Sequence, residues 1–195
     1  PNTKNCSESF APTTTMNSVC LEESKARESL SKPLMIELYA GLHGWGEAAI
    51  CEGFMVIGFD IVDMCAKFGL QRMDGIQLVL QDVLTLHGSQ FRDATIIVAS
   101  PPCQSYSYRA MPWKRAKALP PPSNELFDAC FRIQQEASEA AGRYIPMVVE
   151  NVKGAQPWVG RAKWHFGSYF LWGDVPALMP FTAVRNFKSN GGTHE

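Results

Sequence analysis

The sequence predicts a single α/β domain, a mostly parallel sheet with helices on both faces, and three observations carry that prediction. Its 195 residues, 46% of them hydrophobic, suffice for one core of ordinary size. Short runs of β-branched and bulky apolar residues recur along the chain, the pattern of strands buried on both faces. Between them lie segments with helical spacing, and strands alternating with helices imply parallel pairing through crossovers.

Residues 1–33 are rich in Ser, Thr, Asn and Glu, lack an initiator Met and end at Pro33, so they are expected to form a polar tail, with a short helix over Val19 to Leu30. The domain is expected over 34–195. Leu34 to Ala40 reads as the first strand, followed by a helix over Gly46 to Glu52. Phe54 to Ile61 and Ile76 to Val83 read as the next two strands, separated by a helix over Val62 to Phe68. Ala94 to Ser100 is the fourth. After a basic loop stiffened by Pro120 to Pro122 comes a long helix over Asn124 to Arg143, with Leu126, Cys130, Ile133 and Ala137 on one face. Pro146 to Val152 is the fifth strand. Right-handed crossovers then place Tyr39 to Gly46, Asp60, Asp82, Ser100 to Gln104 and Glu150 to Val152 along one sheet edge, where open α/β folds bind ligands.

Composition excludes several classes. Charged residues make up 19% and the net charge is −1, which fits neither a disordered chain nor a polycation. No apolar run approaches the roughly 18 residues of a membrane span, and the polar N-terminus is not a signal peptide, so a soluble cytoplasmic protein is expected. Six cysteines without a CxxC pair argue against structural zinc and a disulfide framework, and no metal is expected. Cys51, Cys65 and Cys130 sit in apolar-periodic segments and are expected to be buried packing thiols.

Charge is unevenly spread: residues 1–100 hold 7 Lys and Arg against 12 Asp and Glu, and residues 101–195 hold 11 against 7. Gln104 to Asn124 carries Arg109, Lys114, Arg115 and Lys117 with no acid; Asn151 to Gly173 carries Lys153, Arg161 and Lys163 with none. Aromatics are interleaved in both. Such stretches can meet phosphates and stack on bases, although a solvated loop with hydrophobic anchors has the same composition.

The first strand runs into Glu37-Leu-Tyr-Ala-Gly-Leu-His-Gly-Trp-Gly46, whose three glycines let backbone approach a ligand at a helix N-terminus. Asp60 and Asp82 end the next two strands, where carboxylates can accept from ribose hydroxyls and an adenine amino group. Singly, such a turn is more often only a turn and such an Asp more often a helix cap. Ser100-Pro-Pro-Cys-Gln104 is the strongest signal: two prolines make a rigid mount that presents Cys103 at the ligand edge as a nucleophile. Glu150-Asn151-Val152 emerges from an apolar strand, so Glu150 is expected to have a raised pKa and to hold a proton, unless a nearby Lys or Arg pairs with it.

In order along Leu34 to about Gly173, these segments resemble the motifs of the cytosine C5 DNA methyltransferase family, and the short form with His165-Phe-Gly-Ser-Tyr-Phe-Leu-Trp-Gly173 is similar to compact phage and prophage methylases. The resemblance implies a Rossmann-like S-adenosylmethionine-dependent methyltransferase fold and a monomer acting on double-stranded DNA. It implies that Cys103 adds to C6 of a flipped cytosine while Glu150 holds N3, with Asn151 seating Glu150 and the Cys103 loop, and Gln104 and Arg161 assisting. For the methyl donor, S-adenosyl-L-methionine, it implies a pocket of Tyr39, Ala40, Gly41, Gly44, Trp45, Gly46, Asp60, Ile61, Asp82, Val83 and Pro101. For the nucleic acid it implies Ser107, Arg109, Lys114, Arg115, Lys117 and Lys163.

The family's Gln-x-Arg-x-Arg motif is absent, leaving Arg161 and Lys163 as candidates for its role. The expected C-terminal helix is not seen before Glu195, which implies a missing C-terminal part, or a permuted order in which Met16-Asn17-Ser18-Val19 supplies that helix start. An RNA substrate and a non-catalytic binding module are the alternatives to DNA methylation.

Overall fold

The computed structural model describes residues 32–107, 118 and 120–176. The chain divides into two units, Pro1–Lys32 and Pro33–Glu195, and every element described below belongs to the second. The expected tail helix, Asn17, Ser18 and the basic residues Arg109, Lys114, Arg115 and Lys117 lie outside the described residues.

The strands are β1 (Leu34–Leu38), β2 (Met55–Asp60), β3 (Ile76–Leu80), β4 (Ile96–Ala99), β5 (Met147–Asn151), β6 (Trp164–Phe166) and β7 (Tyr169–Gly173). The helices are α1 (Gly44–Cys51), α2 (Met64–Phe68), α3 (Glu125–Ala141) and α4 (Gln156–Val159). The seven strands form one sheet in the order β3-β2-β1-β4-β5-β7-β6. The first five pair in parallel, while β7 runs antiparallel to both β5 and β6. This is the mostly parallel sheet the alternation predicts, extended at one edge by a hairpin that the apolar-run reading does not contain. The hairpin turns at Gly167, φ 57°, where the positive φ of a tight turn is free for glycine.

Helices cover both faces. On one side Ile36, Leu38, Ile97, Ala99 and Val149 pack with Phe127, Cys130, Ile133 and Ala137 of α3. On the other, Met35, Val56 and Val98 pack with Ala49 of α1. Cys130, Ile133 and Ala137 of α3 are buried as expected, and Phe127 and Ala129 are buried with them, whereas Leu126 is half-buried beside Tyr39. Cys65 and Cys130 are buried as expected, but Cys51 is exposed, because it is the last residue of α1 and falls on the helix's solvent side.

Strand ends fall short of the apolar runs where local hydrogen bonds take over from the ladder. Asp82, expected as a strand end, instead caps the 3-10 turn Val83–Thr85 by accepting from Leu84 N–H at 2.9 Å. Ile61 lies just past β2 and is 70% exposed. Among the described residues no helix is long and apolar enough to cross a membrane.

Candidate active site

The ends of β1, β2, β4 and β5 converge, and side-chain bonds between successive loops hold them in register. Asp60 takes the N–H of Gly41 on one oxygen, at 2.9 Å, and that of Val62 on the other, at 3.1 Å, so it ties the loop after β1 to the end of β2. Ala40 N–H donates to Phe59 O, and Tyr39 O–H donates to Leu126 O at 2.8 Å, fixing the aromatic ring against the start of α3. Burial raises the Tyr39 phenol pKa, so the hydroxyl stays protonated as that donor. Trp45 Nε1–H donates to Ser100 Oγ at 3.0 Å, joining α1 to the end of β4.

Of the three loop glycines, Gly44 is exposed and open, while Gly46 is buried and turned toward the sheet. A Cβ on Gly46 would lie 2.9 Å from Glu37 Oε2 and 3.2 Å from Val56 Cγ1, so its bare Cα admits the strand behind it. Asp82 is exposed, and its Oδ1 is engaged as the cap, so the plain capping role is filled alongside any ligand role. Val83 beside it is buried in the core.

Cys103 and Glu150 leave neighbouring strands. The last paired rung of β4 and β5 is Ala99 with Val149, and one step further stand Ser100 and Glu150. Burial raises the Glu150 carboxyl pKa, and a hydrogen bond with Ser100 pulls against that without cancelling it. No Lys or Arg pairs with Glu150 among the described residues. Asn151, 1% exposed, donates from Nδ2 to Pro101 O at 2.9 Å and accepts from Val152 N–H, so β5 grips the proline mount of the cysteine. Pro101 is buried, Cys103 is half-buried, and Gln104 is exposed. The carbonyl of Cys103 takes the N–H groups of both Tyr106 and Ser107, which closes the turn behind the thiol. By contrast, burial pushes the Cys130 thiol up to about 12, as suits a packing residue.

Arg161 and Lys163 are exposed and line a cleft with Gln156, Trp164 and His165; neither Cys103 nor Glu150 belongs to that cleft. Arg161 thus stands with the hairpin residues Trp164 and His165. The structure also brings together residues that the motif reading passed over. Glu37 and His43 are both 1% exposed, and His43 Nδ1 lies 2.8 Å from Glu37 Oε2. A carboxylate inside an apolar strand was the available signal, since buried charges need partners. Tyr106 is likewise buried, and its hydroxyl donates to Asn124 Oδ1 at 3.0 Å.

A mostly parallel sheet covered on both faces, with a glycine loop, the β2-end carboxylate of Asp60, the capping carboxylate of Asp82 and a proline-mounted cysteine on one edge, has the Rossmann-like fold of S-adenosylmethionine-dependent methyltransferases. Residues 34–157 match the family model for C-5 cytosine-specific DNA methylase, and the chain belongs to that family. No curated protein sequence matches it. Among solved structures it is similar to the Dnmt2 methyltransferase of S. pombe, at 18% identity over 65% of this chain and 36% of that one, TM-score 0.42. It is also similar to a DNA modification methyltransferase encoded within an E. coli prophage, at 21% identity over 64% of this chain and 33% of that one, TM-score 0.46. An S-adenosylmethionine-dependent methyltransferase from Mesorhizobium loti matches at 15% identity over 60% of this chain and 45% of that one, TM-score 0.38. The chain thus spans less than half the length of each of these three structures.

Proposed function

We propose that the chain methylates C5 of cytosine in double-stranded DNA, with Cys103 as nucleophile and Glu150 as the group that holds the base at N3. The observation that carries this reading is the placement of Cys103 and Glu150 at the ends of adjacent strands, with Asn151 bonded to Pro101 between them. The thiolate of Cys103 adds to C6, and the ring π electrons move to C5, making it nucleophilic. Glu150, whose carboxyl pKa burial raises, holds N3 and in its protonated form donates there as charge develops. Loss of the C5 proton after methyl transfer re-forms the double bond and expels Cys103.

S-adenosyl-L-methionine, when bound, supplies the electrophilic methyl group. The edge fits such a donor: Tyr39 offers an aromatic face, Ile61 an exposed apolar one, Asp60 a carboxylate beside the backbone of Gly41, Gly44 open space, and Asp82 an exposed carboxylate after β3. Ala40, Trp45, Val83 and Pro101 hold these groups in place from the interior. Arg161, Lys163 and Ser107 are the described candidates for phosphate contacts, and the basic stretch of Arg109, Lys114, Arg115 and Lys117 has the charge for the same role.

Incubating the chain with labelled S-adenosyl-L-methionine and either mixed-sequence duplex DNA or tRNA, beside Cys103→Ser, tests the proposal. Label in DNA with the native chain only, located as 5-methylcytosine, is the expected result, since a serine hydroxyl is much harder to ionise. Label confined to tRNA would transfer the reaction to RNA. Donor binding without label in either polymer would leave a binding module and overturn the reading.

A further inference from the structure

We propose that His43 is a positioning residue for methyl transfer, fixing the donor loop to β1 through Glu37; this rests on the methyl-donor site proposed above. The backbone at His43 is left-handed, φ 61°, a conformation usually left to Gly or Asn. Its ring does not cap the helix it precedes but turns inward to the sheet. Against the Glu37 carboxylate, which can only accept, Nδ1 is the donor to Oε2 at 2.8 Å, while the N–H of Gly46 donates to Oε1 at 3.2 Å. One carboxylate thus closes both the N-cap residue and the first turn of α1 onto β1.

The neighbouring strand leaves a notch for the ring. A Cβ on Gly58 would stand 2.6 Å from His43 Cε1 and 3.0 Å from Nδ1. Packing alone does not account for an imidazole here. With Nδ1–H given to Glu37, Nε2 is fully buried and has no hydrogen-bond partner among the described residues. An unpaired buried nitrogen costs stability that a hydrocarbon in the same notch would not. Left-handed backbone and an orphaned ring nitrogen, directly beside Tyr39, Gly41 and Gly44, mark a residue that serves the geometry of the loop.

The test titrates S-adenosyl-L-homocysteine calorimetrically into the native chain, His43→Ala and His43→Asn, well below each protein's melting temperature, with thermal melting measured in parallel. Asn tolerates the left-handed backbone, and its amide nitrogen takes the place of Nδ1, but it leaves part of the notch empty. His43→Ala is expected to weaken binding about tenfold, the scale of one hydrogen bond to a charged group. His43→Asn is expected to return affinity to within about twofold of native while melting as low as the Ala variant. Affinity that follows melting temperature in every variant, or that changes in none, overturns the positioning role and leaves the donor site standing. Absence of binding by the native chain overturns the donor site and this inference with it.

Discussion

Burial and hydrogen bonding act on Glu150 in opposite directions, and burial wins. The folded chain therefore keeps the Glu150 proton to higher pH than the unfolded chain, whose carboxyl titrates near 4.3 or so, about the model-peptide value. Between the two pKa values the folded state binds more protons, so the stability contributed by protonated Glu150 is full below the ordinary carboxyl pKa and is lost as pH rises through the raised one. Glu150→Gln removes that dependence. Its stability relative to native, measured by urea unfolding from the carboxylate range to neutral pH, is expected to improve as pH rises; a difference that stays flat would return Glu150 to an ordinary surface carboxyl. Glu150 and Cys103 were legible in the sequence because each follows an apolar strand and each motif is contiguous. Glu37 and His43 were not, since their contact depends on a left-handed turn and on the space above Gly58, and neither is written in local periodicity.

At the scale of elements, α3 packs on the sheet and is tied at its side to the second 3-10 turn, Gly88–Phe91. Gly88 N–H donates to Glu136 Oε2, and Arg132 bonds both Leu86 O and Glu136. Burial alone would raise the Glu136 carboxyl pKa, but these partners hold it below its usual range. The contact is close: a Cβ on Gly88 would lie 2.1 Å from Ile133 O and 2.9 Å from Ala137 N, both backbone atoms of a helix that cannot yield locally. Gly88→Ala is expected to cost about 3 kcal/mol through overpacking. That lowers the melting temperature by roughly 6 to 12 °C for a chain of this size. Melting within about 2 °C of native would mean that the turn moves freely off the helix. The spacing of the long helix made Cys130, Ile133 and Ala137 legible as buried, but not Phe127. Phe127 outranks Leu126 because Trp172 of β7 meets it edge-on at 5.4 Å, and β7 belongs to the antiparallel hairpin, which the alternation of strands and helices does not predict. The signal was present in Gly167-Ser168 between two aromatic runs, a two-residue hairpin turn.

Across the whole described domain, the strand order converts a charge asymmetry along the sequence into one across the sheet. The strands β3, β2, β1 and β4 come from the acidic first half, where residues 33–100 hold 3 basic side chains against 8 acidic. The strands β5, β7 and β6 come from the second half, and residues 147–173 hold Lys153, Arg161 and Lys163 against Glu150 alone. The imbalance was legible from composition, but its direction was not, because only the order of pairing sets β3 and β6 at opposite edges. If the β6 side meets DNA phosphates, each basic contact releases counterions, and affinity falls with salt in proportion to their number. The double variant Arg161→Ala with Lys163→Ala is expected to weaken duplex binding at low salt and to make the slope of log affinity against log salt shallower by about 2. Lys67→Ala, on α2 near the acidic edge, is expected to leave the slope unchanged. Equal slopes for all three proteins would show that Arg161 and Lys163 are solvated and would turn the nucleic acid away from the hairpin, whereas the expected pattern would assign the polyanion to the β6 edge, two strands beyond the β5 that carries Glu150.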